Sequence, residues 1–78
     1  MEELIKIGNR IEDIERTDSL LINRYNKLSD IVKSKKYLDV SDELYEMNFI
    51  SELLCDHHKE LSDIYVKILD MLHDELNK

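Results

Sequence analysis

A chain of 78 residues and 9.3 kDa can form one small domain and has no room for an enzyme built round a deep cleft, since domains commonly run to about 100–150 residues. With 42% apolar and 37% charged residues it is too apolar for the disordered class and too charged for the membrane class. A net charge of −7 and a pI near 4.8 argue against direct nucleic-acid binding, which needs Lys and Arg gathered on one face.

Pro, Trp, Ala and Gln are absent and Gly occurs once, so the residues that punctuate turns are nearly missing and an all-α chain is expected. The wealth of Ile, Lys and Asn beside the lack of Ala matches the codon bias of an AT-rich genome, such as that of a bacteriophage, a large DNA virus or a low-GC bacterium. A single cysteine, Cys55, cannot make an internal disulfide and suits a reducing compartment. The opening Met-Glu-Glu-Leu lacks the basic and apolar regions of a signal peptide, and no apolar run reaches the ~18–20 residues of a membrane span. The expected location is therefore the cytoplasm, or the host cytoplasm for a viral protein.

In chain order, Leu4, Ile7, Ile11, Ile14, Leu21, Tyr25, Leu28 and Val32 alternate three and four residues apart in one heptad register. Asp18 is the one polar residue in that seam. Because the phase is unchanged across it, the pattern predicts one helix over about 2–34, with a break at Thr17-Asp18-Ser19 as the alternative. Residues 34–41 interrupt the pattern. They offer Asp39 and Ser41 as caps, with Lys33, Lys35 and Lys36 where a helix C-terminus favours cations, so a turn is expected over about 35–41.

From Leu44 the stripe runs through Met47, Ile50, Leu54, Leu61, Ile64, Tyr65, Ile68, Met71, Leu72 and Leu76, widened by Phe49 and Leu53. It predicts a second helix over about 42–77. Two helices of equal length joined by a short turn make an antiparallel hairpin, one domain spanning 1–78. A hairpin gives each helix one neighbour, so part of a wide stripe stays wet. Pairing two hairpins into a four-helix bundle would bury it, and a symmetric homodimer is the commonest way to do so. The residues expected to carry assembly are Ile11, Ile14, Leu21, Tyr25 and Leu28 of the first helix, with Met47, Phe49, Ile50, Leu53, Leu54, Leu61, Ile68 and Leu72 of the second. The expected function is a non-enzymatic protein–protein interaction module, a regulator or adapter, with itself and another protein as partners.

Two charge features invite a chemical reading. Residues 1–38 hold 8 basic and 7 acidic side chains, whereas residues 39–78 hold 3 and 11. On the second helix Asp56, Glu60, Asp63, Asp70 and Asp74 follow a three-and-four spacing that aligns them along one strip. A solvated face is the ordinary meaning of such a strip, and the alternative function is an acidic mimic of a nucleic-acid backbone that inhibits a DNA- or RNA-binding protein. The basic cluster at the turn end of the first helix, Arg24, Lys27, Lys33, Lys35 and Lys36, adjoins Asp39, Asp42, Glu43 and Glu46, which offset its field.

Cys55-Asp56-His57-His58 is the one cluster of metal-ligand types, with Asp70 and His73 farther on. Consecutive helical residues point about 100° apart, so four neighbours do not converge on one ion and no metal or other cofactor is expected. The same geometry removes Cys55 as a nucleophile activated by its neighbouring histidines. His57 falls in the seam between Leu54 and Leu61, and His58 flanks it. A seam histidine also offers a pH response, because protonation against apolar walls would loosen the packing.

Overall fold

The structure, a computed structural model, describes residues 2–77. Two helices account for almost all of them: α1, Glu2–Ser34, and α2, Ser41–Leu76. α1 runs through Asp18 without a break, because the heptad phase on either side of it is the same. The pair folds into an antiparallel hairpin with Cα extents of 62 × 16 × 13 Å, and no strand occurs among the described residues.

A single seam holds the hairpin together. Ile7, Ile14, Leu28 and Val32 of α1 are buried, as are Ile50 of α2 and Val40 just before it. Ile14 is the most enclosed, at 1% exposure. Half-buried side chains complete the seam: Ile11, Leu21 and Tyr25 on one side, and Met47, Leu54, Leu61, Ile64, Ile68 and Met71 on the other. Burying apolar surface is worth about 25 cal/mol per Å². With so narrow a seam, each helix depends on the other along its whole length.

Not all of the expected stripe turns inward. Leu4, Tyr65, Leu72 and Leu76 are exposed, Tyr65 by 64% and Leu72 by 56%. Toward the C-terminus the inward positions are Ile64, Ile68 and Met71. Tyr65 and Leu72 each follow an inward residue by one, and the 100° step turns them onto the flank.

The turn departs from the capping expected for it. α2 begins after Val40, whose side chain makes no capping hydrogen bond, so neither Asp39 nor Ser41 is the cap. Instead the end of α1 closes through its own backbone: Tyr37 N–H donates to the Val32 carbonyl at 3.1 Å and Lys36 N–H to the Lys33 carbonyl at 3.0 Å. That pairing is a Schellman closure, which calls for a left-handed residue where glycine is usual. Here Lys36 occupies it at φ 54°, and Tyr37 (φ 63°) and Asp39 (φ 51°) are left-handed as well. Left-handed backbone costs an ordinary L-residue about 1–2 kcal/mol. Buried Val40 then plugs the end of the seam.

Candidate functional site

The two polar residues of the seam meet. Asp18 of α1 and His57 of α2 are both half-buried, and the His57 Nδ1 stands 2.5 Å from the Asp18 Oδ1. A carboxylate only accepts, so His57 donates from Nδ1. This pair answers the question each residue raised alone, because each satisfies the polar group the other brings into the seam.

Flanking the seam are two faces of unlike character. On one flank, Arg10 clasps Glu60, with Nη2 to Oε1 at 2.8 Å, and Arg24 clasps Glu46 at 2.6 and 3.3 Å. Lys67 pairs with Glu3 on the same flank. Hydrogen bonds from these cations hold the carboxyls of Glu60, Glu46 and Glu3 below their ordinary range. The Arg10 and Arg24 guanidiniums are correspondingly raised. Asp56, Asp63 and Asp70 stand exposed beside this clasped face, and Asp74, also exposed, continues it.

The expected acidic strip is thus only partly a free surface. Glu60 is half-buried and engaged by Arg10. At the turn, Lys35 pairs with Glu43 at 2.6 Å, and hydrogen bonding lowers the Glu43 carboxyl and raises the Lys35 ammonium. Together with Arg24–Glu46, that pair uses up part of the basic cluster that ends α1.

The other flank of α2 takes part in none of these ion pairs. Its middle is made of Asn48, Ser51, Cys55, His58 and Ser62, all exposed and spaced three and four apart. Leu44 extends the stripe at one end, and Tyr65, Leu69, Leu72 and Leu76 extend it at the other; these too are exposed. In a chain that is 37% charged, about four of ten such positions would be expected to bear charge, yet none is Asp, Glu, Lys or Arg. Exposed Ile5 and Ile22 of α1 lie on the same side of the hairpin, which the Arg–Glu clasps fix as the opposite flank. Glu12 and Glu15 border it on α1. At the open end of the hairpin, Leu4, Ile68, Met71, Leu72 and Glu75 line a mainly apolar groove that runs into this open face.

Of the residues expected to carry assembly, Ile14, Leu28 and Ile50 are buried, and Ile11, Leu21, Tyr25, Met47, Leu53, Leu54, Leu61 and Ile68 are half-buried. Phe49 is exposed by 54% and sits with the clasped face, while exposed Leu72 belongs to the open one. Gly8 has open space where a Cβ would stand, so no contact within the chain requires it. Hydropathy alone does not separate the open face from the seam, although the absence of charge at every third or fourth position of α2 is a signal for it.

No group of three or more His, Cys, Asp or Glu side chains stands together to hold a metal among the described residues. No helix among them is long and apolar enough to cross a membrane. A depression of ≈ 870 Å³ on the clasped face is lined by the paired charges Arg10, Glu60, Glu3 and Lys67, by Glu2 and Lys6, and by Ile7 and Ile64. No protein-family model, curated protein or solved structure matches this chain.

Proposed function

We propose that this chain is a non-catalytic protein–protein interaction module, a regulator or adapter of the cytoplasm, whose working form is a homodimer built as a four-helix bundle. The observation that carries the reading is the amount of apolar side chain a single hairpin leaves wet. Leu20, Tyr45, Phe49, Tyr65, Leu69 and Leu72 are among fifteen large apolar residues on its surface, and contiguous exposed apolar surface marks interaction sites. The chain's chemistry is then recognition: the bundle supplies rigid faces, and whatever face assembly leaves free meets the other protein.

The test is solution mass by light scattering across concentration, with circular dichroism on the same samples before and after a chelator. The expected result is a strongly helical species of about 18.6 kDa, twice the 9.3 kDa chain, indifferent to chelator. A poorly helical 9.3 kDa species would overturn the homodimer and assign the apolar surface to a foreign partner. The alternative reading, acidic mimicry, draws its support from exposed Asp56, Asp63 and Asp70. Reversing Asp56, Glu60 and Asp63 to Lys would abolish a mimic's inhibition of its target and leave an adapter that binds through apolar contacts engaged.

A further inference from the structure

We infer that the open face seats a second copy of this chain about a two-fold axis, with the uncharged stripe of α2 at the centre of the contact. This rests on the homodimeric reading above and adds to it the face.

Surface area calls for such a contact. A compact protein of 9.3 kDa is expected to expose about 5,000 Å², and this one exposes 6464 Å². The surplus of roughly 1,500 Å² exceeds the ~800 Å² that each partner of an ordinary stable interface buries.

Charge then selects both the face and the occupant. Two copies of a chain carrying −7 repel wherever like charges meet, and in a two-fold contact the same patch faces itself. The clasped face would set the row Asp56, Asp63 and Asp70 of one copy against the same acidic row of the other. The stripe through Ser51, Cys55, His58, Ser62 and Tyr65 has no formal charge with which to repel itself. Docking there turns the aspartates outward, and it leaves Glu12 and Glu15 of α1 at the rim. The groove through Leu4 and Leu72, which Glu75 also lines, prolongs the contact at the open end.

Cys55, the single cysteine, is exposed and free in the middle of the stripe, which gives the full chain a built-in probe. The rate at which an aromatic disulfide reagent modifies it should fall about tenfold or more as concentration carries the mass from 9.3 kDa to twice that value, because access controls thiol reaction. Ser62→Lys places a charge in the stripe without touching the seam and should weaken dimerisation about tenfold or more. Asp63→Lys, one residue along on the clasped side, should not weaken it. A dimer whose Cys55 reacts as fast as the monomer's, or one that tolerates Ser62→Lys, overturns this face and leaves the homodimer standing. A mass of 9.3 kDa at every concentration overturns both.

Discussion

The two flanks of the hairpin solve different problems with the same helices. On the clasped face, Arg10–Glu60, Arg24–Glu46 and Glu3–Lys67 tie α1 to α2 across the seam; on the open face, α2 carries only uncharged side chains along its stripe. Exposed ion pairs contribute little to stability, but opposite charges in register disfavour any sliding of one helix along the other. An uncharged flank does nothing for register and leaves its surface free for contact. The contrast teaches that long-range order within the chain and association between chains can be assigned to opposite sides of one thin element.

The largest effect comes from a change that destroys both faces at once. Ile14→Asp puts an unpaired charge at the most enclosed point of the seam; it should cost at least about 3 kcal/mol and abolish cooperative helix melting by circular dichroism. Next is the polar pair. Asp18→Leu alone leaves His57 without its acceptor and should destabilise by about 1–3 kcal/mol, whereas Asp18→Leu with His57→Leu should recover most of that loss in a double-mutant cycle of thermal melts. Recovery without any loss of the antiparallel register, read from spin-label distances between the helices, would show that the polar pair does not set it.

Smaller effects sharpen the turn and the clasps. Lys36→Gly relieves a left-handed lysine in the Schellman closure and should stabilise by about 0.5–1 kcal/mol, read as a raised melting midpoint. The acid limb reports the clasped face. Glu60, Glu46 and Glu3 titrate below their ordinary 4.5, so their contribution is fully present above that value and is lost as pH falls through their lowered ones. Melting midpoints followed from pH 5 downward should therefore fall, with a shallower slope in Glu60→Gln, and raised salt should mute the difference. An unchanged slope would mean that Arg10 does not hold Glu60 in solution.

The seam was legible because a three-and-four alternation survives nearly thirty residues in α1, from Leu4 to Val32, and a continuous phase means a continuous helix. Asp18 and His57 were each visible as anomalies, but their meeting depends on how the helices align. A signal for it was available: Asp18 lies 16 residues before Ser34, where α1 ends, and His57 lies 16 after Ser41, where α2 begins. Tyr65 and Leu72 were harder to place, since hydrophobicity marks a side chain as apolar without saying whether the seam or the flank takes it. The turn was least legible. Asp39 and Ser41 have capping chemistry, yet backbone closure through left-handed Lys36 and Tyr37 leaves no signature in their residue types.

The plug at Val40 makes the hairpin unequal end to end, and that inequality sets an order of assembly. Bringing Val32 to Val40 closes a loop of a few residues, while bringing Leu4 to Ile68 closes one of more than sixty, so chain entropy favours contacts beside the turn before those far from it. The helices should zip from Val40 outward and fray from the Leu4–Leu72 end. Substitutions near the turn would then slow folding, and equal losses near the open end would instead hasten unfolding. The end that closes last is also the one where the apolar groove lies, so association would act as a latch on a helix pair already formed from its other end.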